Sequence, residues 1–282
     1  MDKNTSIEFC KKTVKSFIEK YCDSDIEKLL CFDIQEIEKD DNFGKPTEYR
    51  EEWKFDPDDS IIVRAVLYLI YNDIIPDLSY DLIGNKYRGD TIFTQGNIFG
   101  RKREFLDKQN IADTSLYMKK AIEFVNKYHT IPNIMLLPNE KTELLRKNKI
   151  SKETLNQYRG LNNPGLRDYI DLFVLEVCNS IDKCNIFERD SNIDLLVQEN
   201  SFYFNNFQKG IEFLKNQFLD DLVCKSNDKY ELIDDYKLRH VVYWKKISGY
   251  DKAIDKFLNA FDRLWAYRKE KMLNKLKKIF ED

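Results

Sequence analysis

A chain of 282 residues, 42% hydrophobic and 13% aromatic, has enough apolar material to bury a core without disulfide or metal staples, and too much for a disordered chain. Its 46 Lys and Arg against 49 Asp and Glu give a formal net charge of −3, without the basic excess expected of a dedicated duplex-binding protein. The longest apolar run, Ile61 to Tyr71, includes Arg64 and is far shorter than the roughly 20 residues of a membrane helix. With a Lys- and Glu-rich start in place of an apolar leader, a soluble, cytoplasmic protein without a membrane span is expected.

Apolar spacing predicts an amphipathic helix over 6–22, with Ile7, Val14, Phe17, Ile18 and Tyr21 on one stripe and Ser6 as N-cap. A second helix is predicted over 24–38, then an ordered loop over 39–58. Pro57 followed by Asp58, Asp59 and Ser60 reads as a helix start. The helix that follows, to about Asn72, is apolar nearly all round and should be central. Pro76, Gly84, Gly89, Gly96 and Gly100 then make the least helical stretch of the chain, with one short hairpin expected around Tyr87–Phe93.

Further helices are predicted over 113–128, 139–148, 151–158, 166–183, 190–198, 203–224 and 250–280, with room for a short strand in 229–247. The last is the clearest: Ile254, Phe257, Leu258, Phe261, Leu264, Trp265, Met272, Leu276 and Phe280 keep a helical stripe for seven turns. These elements predict a mainly α protein. They favour a single globular helical domain over 1–282 with a Gly/Pro-rich irregular segment and one small hairpin. The alternative is a division into 1–140 and 141–282.

Six cysteines without C-x-x-C spacing read as reduced, buried thiols, and with two histidines they mark no metal site. The unusual polar residues fall in three blocks. In Tyr87-Arg88-Gly89-Asp90-Thr91, the Arg88 fork suits a phosphate or carboxylate, with Thr91 beside it, and Asp90 suits acid–base work. The plainer reading is that Asp90 caps a turn and pairs with Arg88.

In the second block, His129 stands where a helix gives way to Thr130-Ile131-Pro132-Asn133, a position open to catalysis or to simple dipole compensation. His240, among apolar neighbours, reads as structural. The third block holds Arg159, then Asp168 and Asp171 three residues apart on one helix face. The basic run Arg268, Lys269, Lys271, Lys275, Lys277 and Lys278 reads as a solvated helix face, with a nucleic-acid contact as the alternative.

In order, Arg-Gly-Asp-Thr…Phe-Gly (88–100), His-Thr-Ile-x-Asn…Leu-Pro (129–138) and Leu-Asn-x-Tyr-Arg-Gly…Asp-Tyr-x-Asp-Leu (155–172) resemble a group of uncharacterised bacterial proteins. In that group a glycine follows the His-Thr-Ile triplet, where this chain has Pro132. The same His-Thr-Ile-x-Asn-x-x-Leu-Leu block is similar to part of the C-terminal nuclease module of GmrSD-type modification-dependent restriction enzymes. There it lies downstream of a catalytic histidine, and here no histidine precedes His129.

Beside nucleic-acid binding through the basic C-terminal helix, two functions follow as expectations. One is a polar pocket, anion-binding or nuclease-like, for a phosphate-bearing ligand or nucleic acid. In it His129 and Asp90 do the chemistry, and Arg88, Thr91, Asn133, Arg159 and Asp168 bind. The other is a protein-interaction module with a protein partner, such as a component or inhibitor in phage–host conflict. No cofactor is specified by these residues.

Overall fold

A computed structural model of the chain describes residues 1–46, 55–93, 116–138, 170–184, 191–237 and 250–281. The elements are α1 (Lys3–Tyr21), α2 (Ile26–Cys31), α3 (Ile61–Tyr71), β1 (Tyr87–Thr91), α4 (Leu116–Tyr128), β2 (Ile134–Pro138), α5 (Ile170–Ile181), α6 (Ser191–Glu199), α7 (Ser201–Phe204), α8 (Gly210–Asn216), β3 (Val223–Ser226), β4 (Lys229–Leu232), α9 (Asp234–Lys237) and α10 (Tyr250–Glu281). Among the described residues the chain is mainly α, with two antiparallel two-stranded sheets, β1–β2 and β3–β4. It forms two compact units, each interrupted in sequence. The first comprises Met1–Thr91, His129–Thr142 and Tyr267–Asp282; the second comprises Ile92–Tyr128 and Glu143–Ala266.

In the first unit α1 begins a turn before Ser6. Asp2 is the cap, its carboxylate accepting the Thr5 N–H at 2.9 Å, and Ser6 lies buried inside the helix. Cys10, Val14 and Phe17 then form its buried stripe. The helix expected over 24–38 is two pieces, because Asp33 accepts the Gln35 N–H at 3.0 Å and starts a separate 3-10 turn, Ile34–Ile37. An aspartate side chain competing for backbone N–H groups ends α2 where apolar periodicity alone would continue it.

Helix α3 is the centre of this unit, as its composition demands: every residue from Ile62 to Tyr71 is buried. Ser60 caps it by accepting the Val63 N–H at 3.4 Å. Strand β1 lies within the expected hairpin region, but its partner is the distant β2. The register runs from Tyr87 opposite Pro138 to Thr91 opposite Ile134. All five residues of β2 are buried. Its start is fixed by Arg268 of α10, which is 1% exposed and donates to the carbonyls of Pro132 at 2.6 Å and Ile134 at 2.7 Å.

The second unit packs aromatic rings. Phe93 meets Phe257 edge-on at 5.4 Å and stacks on Tyr236 at 5.9 Å, while Phe124 meets Phe261 at 4.7 Å. The helix expected over 203–224 is broken into α7 and α8. Phe218 takes a φ of 55°, a left-handed conformation that stops the helix, and the chain turns into β3. The β3–β4 pair turns through Asn227, also left-handed at φ 54°, which supplies the short strand anticipated in 229–247. Asp182 ties the unit together, accepting from Lys225 Nζ at 2.6 Å, Gly210 N at 2.7 Å and the Tyr230 hydroxyl at 2.9 Å.

Candidate functional site: the aspartates beneath strand β1

The run Asp56-Pro57-Asp58-Asp59-Ser60 divides its polar groups between two tasks. Asp56 caps a 3-10 turn, Pro57–Asp59, by accepting the Asp58 N–H at 3.2 Å, and Ser60 caps α3. Neither cap uses the Asp58 side chain. It is instead held by Thr91 of β1, whose Oγ1 lies 2.7 Å from Oδ1 and 2.6 Å from Oδ2. The strand comes this close because Gly89 has no side chain: a Cβ there would sit 2.3 Å from the Asp58 carbonyl oxygen.

Two contacts of this length share one threonine proton. Both are satisfied if Asp58 is itself protonated, donating to Thr91 from one oxygen and accepting from it at the other. The electrostatics agree. Burial, followed by the nearby Asp56 and Asp90 carboxylates, pushes the Asp58 carboxyl up to about 8, against the opposing Thr91 hydrogen bond and the Arg88 charge.

Arg88 faces the same group of acids. Its Nη2 lies 3.4 Å from Asp56 Oδ2, and its Nε donates to the Gly89 carbonyl at 3.1 Å. Burial alone would depress the guanidinium, but Asp90, Asp56, Asp59 and Asp58 together hold it above its usual value. Arg64 of α3, buried, donates from Nε to Asp59 at 3.3 Å. Two arginines thus stand among four aspartates.

Of the residues singled out in the sequence, Arg88, Asp90 and Thr91 lie on β1. Asn133, 2% exposed, directly precedes β2, and its N–H bonds the Thr130 carbonyl at 3.0 Å. His129 is half-buried in the turn entering β2, and its carbonyl accepts the Ile34 N–H at 3.1 Å. The first two blocks therefore meet as one sheet. Arg159, Asp168 and His240, and the helices predicted over 139–148 and 151–158, lie outside the described residues.

Arg88 does not sit as an open anion clamp, since its surroundings are acidic and one of its nitrogens is spent on the neighbouring carbonyl. Within the basic run, Arg268 is a buried structural donor, Lys269 pairs with Glu27 at 2.7 Å and Lys275 with Asp73 at 2.6 Å. Reasoning from sequence missed Asp56, Asp58, Asp59 and Arg64. The available signal was three aspartates around one proline, more acid than a single helix start needs.

Among the described residues no group of three or more His, Cys, Asp or Glu is arranged to hold a metal ion. No protein-family model matches the chain, and neither a curated protein nor a solved structure matches it.

Proposed function

We propose that the Asp58 turn and the Arg88–Asp90 stretch of β1 form an acid–base site of hydrolytic type, with Asp58 as the proton carrier. The double contact of Asp58 with Thr91 carries this reading. A carboxyl raised by burial and by neighbouring acids is how proteins set one carboxyl apart from like residues for acid–base work. Arg88 would steady the charges of Asp56 and Asp90 in place of clamping an anion. The surplus of carboxylate favours a substrate uncharged or cationic at its reacting centre over a bare phosphate. A nuclease-like activity is the harder case and belongs in the same assay. The protein-interaction alternative has less to build on, because Met1 and Phe9 are the exposed large apolar side chains among the described residues.

The test is release of p-nitrophenol from a neutral ester, a glycoside and a phosphodiester by the wild-type chain and by Asp58→Asn, between pH 6 and 9. Turnover of a neutral substrate is expected, with an inflection near 8. The variant should stay folded and lose about a hundredfold or more in kcat. Absence of turnover by the wild type, or full activity in Asp58→Asn, overturns the proposal.

A further inference from the structure

Unit 1 carries a second feature, which adjoins the acid–base site at Arg64 but does not rest on that reading. A cleft of about 540 Å³ opens between α1, the loop after the Ile34–Ile37 turn, α3 and the Tyr80–Leu82 turn. Its size is that of a small-ligand site. Its lining includes Phe9, Asp41, Asn42, Arg64, Tyr80 and Asp81.

These groups divide into fixed and open ones. Arg64 is fixed: Asp59 holds its Nε, and its guanidinium lies against Gly84, whose φ of +99° and missing Cβ make the room. A Cβ at Gly84 would stand 2.2 Å from Arg64 Nη2. Asp81 is engaged by the Met1 ammonium. Asp41, by contrast, is exposed and makes no ion pair among the described residues. The Asn42 side chain is exposed beside it, its backbone N–H held by Asp40 at 2.9 Å. Phe9, 39% exposed, lies 4.8 Å from the Tyr80 ring at 57°.

We propose that this cleft binds a planar nitrogen heterocycle of the guanine type. The ring would lie against Phe9 and Tyr80, with adjacent N–H groups on the Asp41 carboxylate and ring acceptors towards Asn42 and Arg64. A carboxylate takes two parallel N–H donors, arginine and amide nitrogens suit ring acceptors, and an aromatic pair gives the ring a face to rest on. A simple anion would meet the exposed Asp41 carboxylate, and an alkylammonium has no ring to lie against Phe9 and Tyr80.

Calorimetric titration of the full chain with guanosine, adenosine and tetramethylammonium tests the assignment. Guanosine should bind, with adenosine and tetramethylammonium each weaker by about tenfold or more. Phe9→Ala and Asp41→Asn should each weaken guanosine by about tenfold, from the loss of stacking and of the paired acceptor respectively. Both positions are exposed, so unfolding temperatures close to wild type are expected, and Asp41→Asn alone suffices if Phe9→Ala misfolds. No guanosine binding at millimolar concentration, equal affinity for adenosine or the ammonium ion, or unchanged affinity in Asp41→Asn overturns the proposal.

Discussion

Asp58 links local chemistry to stability. Its carboxyl is raised in the folded chain from an unfolded value near 3.8 to about 8. Between those values the folded state therefore holds a proton that the unfolded state has lost. Stability from this group is fully present below about 4 and falls as pH rises, by up to about 1.4 kcal/mol per unit, until the folded carboxyl ionises. Asp58→Asn, which mimics the protonated acid, should remove that slope. Urea denaturation at pH 5, 7 and 9 measures it, and an unchanged slope in the variant would place the titrating group elsewhere. Asparagine also retains a donor and an acceptor for Thr91, so a gain in stability relative to wild type is expected at pH 9.

At the scale of elements, α10 shows where periodicity is enough and where it is not. Its buried stripe runs Phe257, Phe261, Leu264, Arg268, Met272, Leu276, an arginine at a core position among apolar side chains. The spacing that identified the stripe also contained the answer for Arg268, because a cation on the buried face must find acceptors inside. Reading Arg268 with the neighbouring lysines hid this. Replacing it by Met should leave the Pro132 and Ile134 carbonyls without their donor and cost about 3 kcal/mol, and Lys, without the planar fork, should restore only part. Thermal unfolding of the two variants checks the order.

Helix α3 and the long run of α10 were legible for the opposite reason, that one apolar pattern outweighs every local competitor. The pairing of β1 with β2 was not legible. Five residues of each strand find one another although α4 lies between them in sequence, and no local spacing encodes that register. Of the candidate site, the Arg88–Thr91 block was visible as unusual polar chemistry on a glycine-bearing segment. Asp58 was visible only as part of a helix start, since its partnership with Thr91 exists only once the chain has folded.

On the scale of the whole molecule, Asp182 in the second unit is shifted the opposite way from Asp58 in the first. Lys225, the Gly210 N–H and the Tyr230 hydroxyl overcome the cost of burial and hold Asp182 below its usual range. That stabilisation is present above the unfolded carboxylate value and is lost as pH falls below about 4 through the folded one. The second unit should thus loosen in acid while the Asp58 contribution to the first is at its greatest. Hydrogen exchange followed by peptide mass analysis at pH 3 and pH 7 should show deprotection around Gly210–Asn216 and Lys229–Leu232 at the lower pH. In Asp182→Asn the same segments should already exchange faster at pH 7. Equal protection in wild type and variant would mean that Asp182 does not hold them.

The interrupted course of the first unit also bears on how the protein is made. The donor that fixes the start of β2 is Arg268, and it leaves the ribosome only after every residue of the second unit has done so. A nascent chain can therefore assemble α1 to α3 early, but it must keep the Pro132 and Ile134 carbonyls waiting through nearly half of translation. Completing this half of the molecule is a late, long-range closure, and such closures are the slow steps of folding.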